Sequence, residues 1–195
     1  FTAFGVEDAC RAGLRLLDKG PVRVKRALGI GGGGQVVVGD RTALERALAD
    51  IDADELREYG IGLEQNLTDV TTYSIGQVRV GDLVASYCGT QGVTENNHGA
   101  IVYGGSTLLV VRGDFDALLA IDHPPQAQRA IAKARTYDDA AFRCFAGLFA
   151  SRRNYDVAEG FDAAGARCAG VLEQSWRVGG ATGAGAAVAT LATVA

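Results

Sequence analysis

Two groups of residues in this sequence have types and spacings that can do chemistry. In the first, Lys25 ends the alternating segment Val22-Arg23-Val24-Lys25, and the run Gly29-Ile30-Gly31-Gly32-Gly33-Gly34 follows. Backbone N–H groups of successive glycines can close over phosphate oxygens, and a lysine at the entry adds a point charge. A plain turn between two strands is the bland alternative. The second group is Asp156, Glu173, Ser175 and Arg177. If residues 155–159 and 169–173 pair as a hairpin turning about Ala164-Gly165, Asp156 lies opposite Glu173, with Cβ atoms about 5 Å apart. Carboxylates placed so repel unless a cation sits between them. Glu173, Ser175 and Arg177 alternate onto one face. Hard oxygen ligands beside a guanidinium suit Mg²⁺ and phosphate. A solvated acidic face with Arg177 as counter-ion is the alternative here.

The glycine run spells Gly29-x-Gly31-x-x-Gly34, but a dinucleotide fingerprint needs a helix directly afterwards, and Gln35-Val36-Val37-Val38 reads as a strand. A Walker loop needs Lys-Ser/Thr after its last glycine, and Gln35-Val36 stands there. A protein kinase needs a lysine beyond the loop with HRD-type and DFG motifs, and none is present. A glycine hairpin with a lysine before it remains.

Elements must position these groups. The pattern predicts a helix over 6–18, strands over 21–25 and 35–38, and a helix from Thr42 to about Asp50 with a Thr42/Glu45 capping box. A strand over 62–66 leads to a hairpin of Thr72–Val80 and Leu83–Tyr87 about Gly81-Asp82. Cys88–Gly105 reads as a long polar loop, Thr107–Arg112 as a strand and 126–150 as a long helix. Strands follow near 155–159 and up to Glu173, then an Ala-rich tail helix from Gly179. Mixed helices and hairpins give an α+β chain with antiparallel sheets.

The 195 residues carry 19 Lys+Arg against 23 Asp+Glu, a net charge of −4, and 48% hydrophobic residues. That suits one domain or two small lobes with a proper core. A mildly acidic chain without a basic run disfavours nucleic acid as a partner. Cys10, Cys88, Cys144 and Cys168 are far apart, with only His98 and His123 to join them, so neither a zinc site nor a disulfide framework is expected. No secretory leader is visible and the tail is too short to span a bilayer, so a cytoplasmic location away from membranes is expected. The chain opens on Phe1, which reads as a portion of a longer protein.

In this order the elements resemble the ATP-grasp superfamily of ATP-dependent carboxylate–amine/thiol ligases, in a branch without its N-terminal domain in this chain. GPVRVKRALGIGGGGQ (20–35) is similar to the family's lysine-plus-flap segment, LEQNLTDVTTYSIGQV (63–78) to its inter-lobe hinge, and EQSWRVGG (173–180) to its metal-binding ending. The resemblance spans Phe1 to about Gly185. It implies two α+β lobes whose antiparallel sheets sandwich a nucleotide: residues 1–66 as the N-terminal lobe with the glycine flap, and 67–195 as the C-terminal lobe with the metal-binding hairpin. It also implies ATP and Mg²⁺ as cofactors. Lys25 takes the place of the phosphate-binding lysine, with Gly31, Gly32, Gly33 and Gly34 as the flap. Glu64 takes the place that accepts from the adenine amino group, and Gln65 and Leu67 offer backbone contacts. Thr71 stands where a ribose-binding acid is common. Asp156 and Glu173 are implied as metal ligands, Ser175 stands where Asn is usual, and Arg177 is the phosphate arginine.

The implied activity transfers phosphoryl from ATP to a carboxylate, which an amine or thiol then attacks; the acceptor, a small molecule or peptide, has no readable code. The other readings are a non-catalytic nucleotide-binding module and a small-molecule kinase, and a homodimer is left open. Among lesser residues, His98 reads as a loop contact or a solvated histidine. Trp176, opposite in parity to Glu173, reads as core. Arg152 and Arg153 read as phosphate contacts or a solvated helix end.

Overall fold

The chain divides into two units, Phe1–Asp69 with Phe161–Cys168, and Val70–Gly160 with Ala169–Ala195. The computed structural model describes residues 1–28, 34–95, 97, 99, 101–179, 181 and 183. Gly31, Gly32, Gly33 and His98 lie outside the described residues, as does the expected tail helix apart from Gly179, Ala181 and Gly183.

In the first unit the elements run β1 (Thr2–Ala3), α1 (Val6–Leu17), β2 (Val22–Arg26), β3 (Gln35–Val38), α2 (Arg41–Ala49), α3 (Ala53–Tyr59) and β4 (Ile61–Gln65). The strands form an antiparallel sheet in the order β1-β4-β2-β3. Alternation sorts its faces. Val22, Val24, Val38, Ile61 and Leu63 share a core with Ala9 of α1, Leu44 and Leu48 of α2 and Leu56 of α3. Arg23, Lys25, Gly62 and Glu64, one residue out of phase, occupy the other face. The helices sit close because Gly13 of α1 has no side chain: a Cβ there would lie 2.5 Å from Leu44 Cδ2.

The second unit is built on β5 (Thr68–Val80, from Val70 on), β6 (Leu83–Glu95), β7 (Ile101–Arg112), α4 (Phe115–Leu119), α5 (Pro125–Cys144), β8 (Arg152–Phe161, up to Gly160) and β9 (Arg167–Ser175, from Ala169 on). The sheet order is β7-β6-β5-β8-β9. α5 starts with Pro at its first turn, where no N–H is needed. It buries Ala127, Ala130, Ile131, Ala134, Asp138 and Ala141, a helical stripe of mostly small residues that lets it lie close to the sheet. Tyr73, Ile75, Cys88, Tyr155 and Val157 meet it with Phe115 and Leu118. Val78 and Tyr87 lie on the opposite sheet face with Ala181, Leu108 and Val110.

The α+β class with antiparallel sheets is as the sequence reads. Four local expectations change. The cap of α2 is Asp40, whose carboxylate accepts from Ala43 N at 2.8 Å, so Thr42 lies inside the helix. α3 fills a stretch given no element, capped by Asp52 and ended by Gly60 at φ 71°. The expected loop 88–105 is mostly strand: β6 and β7 pair from Ala85↔Arg112 to Glu95↔Ile101, with a register shift at Gly92/Val93. Glycine lowers strand propensity, but this long pairing overrides it at Gly89, Gly92, Gly104 and Gly105. Finally, α5 stops at Cys144 rather than near 150.

Candidate functional site

Each unit presents polar residues on the sheet face turned away from its helices. In the first unit, Lys25 pairs with Gly62 and Arg23 with Glu64 across β2 and β4. Lys25 Nζ reaches Glu64 Oε2 at 2.7 Å. The lysine side chain is 19% exposed and the glutamate 41%. Arg23 donates to Gln35 Oε1 at 3.2 Å and to Asn66 Oδ1 at 2.8 Å. Lys25 stands opposite Gln35, at the base of the β2–β3 hairpin that carries the glycine run, and Arg26 N donates to Gly34 O at 2.9 Å there. Gly34 has φ 73°, a left-handed conformation that glycine adopts without strain. Gln65 ends β4 in the core-facing phase, and Leu67 lies half-buried between β4 and β5.

In the second unit, Asp156 Oδ1 accepts from Asn154 Nδ2 at 2.8 Å and from Ser74 Oγ at 3.3 Å. Tyr87 Oη donates to Asn154 Oδ1 at 3.0 Å, and Gln91 Nε2 donates to Ser74 Oγ at 2.9 Å. Tyr87 crosses to β8 over Gly76, where a Cβ would lie 2.3 Å from the tyrosine oxygen. Asn154, Ser74, Gln91 and Tyr87 carry no role in the sequence reading. Asn154 was within reach of it, two residues before Asp156 on the same strand face. Ser74, Gln91 and Tyr87 reach Asp156 only through long-range strand pairing, which leaves no local signal.

The β8–β9 hairpin turns through Ala163–Gly165, with Asp162 N donating to Ala166 O at 2.9 Å and Gly165 at φ 76°. Val171 packs on the core under α5, while Gln174 accepts from Tyr137 of α5 at 3.1 Å. Trp176 Nε1 donates to Tyr155 Oη at 3.2 Å on the helix side. Glu173 is exposed, while Ser175 Oγ is buried with no hydrogen-bond partner among the described residues. Arg177 is exposed and donates to Val178 O at 3.3 Å, and Thr71 is exposed on β5.

Under α5 lies a different set. Asp138, 6% exposed, accepts from Tyr155 Oη at 2.5 Å and from Arg153 Nη1 at 2.9 Å. Arg153 also donates to Gln77 and stacks on Phe142 at 4.7 Å. Burial raises the Asp138 carboxyl above its ordinary value, against the hydrogen bond from Tyr155 and the charge of Arg153. Burial, then the bond to Asp138, raises the Tyr155 phenol. Burial pushes the Cys88 thiol up to about 11, which leaves it a poor nucleophile. Arg153 is thus a core residue rather than a phosphate contact or a solvated helix end.

The donor types suit a hard cation: Asp156 is a carboxylate held by two donors, and the Ser175 hydroxyl oxygen is buried without a partner among the described residues. Among the described residues, no cluster of three or more His, Cys, Asp or Glu side chains forms.

The fold is α+β with two antiparallel sheets. The family described as Protein of unknown function (DUF3182) matches residues 1–195, and the chain belongs to it. No curated protein matches the sequence. Among solved structures, the chain is similar to D-alanyl-alanine synthetase A from Vibrio cholerae O1 biovar eltor str. N16961, at 12% identity and a TM-score of 0.49, over 88% of this chain and 47% of that one. It is also similar to N5-carboxyaminoimidazole synthetase from Staphylococcus aureus, at 11% identity and a TM-score of 0.49, over 92% of this chain and 39% of that one. The chain thus spans less than half the length of either structure. No described helix is long and apolar enough to cross a membrane.

Proposed function

We propose that this chain is the Mg-ATP-binding part of an ATP-grasp ligase that activates a carboxylate for attack by an amine or thiol. One observation carries the reading: Lys25, a mostly buried ammonium, stands on the open face of its sheet at the base of the glycine hairpin. A lysine there meets phosphates that the hairpin covers, and Glu64 holds it in place until they arrive. Gly31, Gly32, Gly33 and Gly34 supply backbone donors and Arg177 a second cationic contact. Glu64, Gln65, Leu67 and Thr71 border the nucleoside. Asp156, Glu173 and the Ser175 hydroxyl are the residues that hold Mg²⁺, which supplies charge neutralisation on the phosphates.

The protein's own part is positioning and charge compensation. The carboxylate oxygen of the substrate takes the γ-phosphoryl group and ADP leaves. The amine nitrogen or thiol sulfur then bonds to the carbonyl carbon, and phosphate leaves. Lys25 and Arg177 face the negative charge that passes through both steps. The test is ADP and phosphate release with Mg-ATP and a panel of amino acids, dipeptides and thiols. The ligase reading expects release that needs both a carboxylate and an amine or thiol. ADP released with an alcohol acceptor and no phosphate would mark a kinase. ATP binding without turnover, in the whole protein as well as in this chain, would mark a binding module.

A further inference from the structure

Asp156 is held in an asymmetric way. Both of its hydrogen bonds, from Asn154 Nδ2 and Ser74 Oγ, end on Oδ1. Among the described residues, Oδ2 has no partner. Each of the two donors is itself fixed from the far side. The Tyr87 hydroxyl donates to Asn154 Oδ1, which turns the amide so that its N–H₂ end faces the carboxylate. Gln91 Nε2 donates to the Ser74 oxygen, which leaves the hydroxyl proton for Asp156. The outer groups come from β6, the inner ones from β5 and β8, so three neighbouring strands aim one carboxylate. Tyr87 is 1% and Ser74 1% exposed, so water does not replace these donors freely.

A carboxylate needed only for solubility has no use for such a frame. One that must place a single oxygen does. We infer that Asn154 and Ser74 are positioning residues that saturate Asp156 Oδ1 and leave Oδ2 as the atom offered to a divalent cation. Tyr87 and Gln91 fix their orientation. The inference rests on the metal role proposed for Asp156. It adds that the outer partners set how strongly the metal enhances nucleotide binding, because groups that orient a ligand govern metal affinity nearly as the ligand does.

The test measures ATP affinity by calorimetry twice for each protein, with saturating Mg²⁺ and in chelator, and takes the ratio. Asn154→Ala and Ser74→Ala should each lower that ratio about tenfold. Their affinities in chelator should stay within about twofold of the parent, and Asp156→Asn should abolish the enhancement. Ser74→Thr, which keeps the hydroxyl, should restore most of it. Melting in chelator shows which variants are folded; if Asn154→Ala is not, Ser74→Ala carries the test alone, since it removes one oxygen. A parent-like ratio in Asn154→Ala and Ser74→Ala, with enhancement lost in Asp156→Asn, would overturn the clamp and leave the metal site standing. An equal loss with and without metal would make these residues merely structural. A parent-like ratio in Asp156→Asn would remove the metal role itself.

Discussion

Lys25 and Glu64 form a 2.7 Å ion pair between strands β2 and β4, on the sheet face away from the helices. The glutamate is 41% exposed, so solvent screens much of the attraction and the pair is worth at most about 1 kcal/mol. Glu64→Gln should therefore leave urea stability within about 1 kcal/mol of the parent. A larger loss would mean that the pair serves the fold rather than the binding of a ligand.

Asp156 and Glu173 are expected to share a cation, which ties the sign of a mutational effect to the metal. Without divalent ions, removing one of two neighbouring like charges relieves repulsion. Glu173→Gln and Asp156→Asn should then melt at or above the parent temperature in chelator. With Mg-ATP at about 100 times its Kd, the parent gains about 2.7 kcal/mol and a variant that binds poorly gains less, so the order should reverse. A variant that gains as much from Mg-ATP as the parent is not a ligand mutant.

Asp138 gives a pH signature. Its carboxyl is raised above its ordinary value, chiefly by burial, so the folded protein holds the proton more tightly than the unfolded chain. That contribution to stability is full below the unfolded value and is lost as pH rises through the raised folded one. The melting temperature of the parent minus that of Asp138→Asn should fall from pH 3 toward pH 7. A difference that grows with pH would show the Arg153 and Tyr155 contacts outweighing desolvation.

Gly76 is where β5, β6 and β8 come together. A Cβ there would lie 2.3 Å from the backbone oxygen of Arg153 and 2.3 Å from Tyr87 Oη. The backbone oxygen cannot move aside without parting the strands, so Gly76→Ala should cost at least about 2 kcal/mol in urea unfolding. Gly170, with nothing within 4 Å of its own Cβ position, is the control, and Gly170→Ala should stay within about 0.5 kcal/mol. Equal effects at the two positions would refute the close approach.

Much of the local structure was legible because period and parity carry it. Val22 and Val24 against Arg23 and Lys25 gave a strand with a core face and an open face, and both faces are as read. Trp176, read as core from its parity, is half-buried and donates to Tyr155 Oη. The β6–β7 hairpin was not legible, since its glycines read as loop and only pairing with a partner strand overrides that. Nor was the frame around Asp156. Ser74 and Gln91 lie far from it in sequence, and only the sheet order β6-β5-β8 brings them together. The Asp40 cap displaced the Thr42 capping box because Asp40, two residues earlier, accepts from Ala43 N and starts the helix at Arg41.

Titration of Mg-ATP into the protein, for the parent and for Lys25→Ala, tests the central claim most directly. A phosphate contact to a charged group contributes about 1.5–3 kcal/mol. The parent should show saturable binding of one nucleotide per chain, and Lys25→Ala should bind about tenfold more weakly or worse. Heat of dilution alone from the parent, or equal affinities in the two proteins, would contradict a nucleotide held by Lys25 beneath the glycine hairpin.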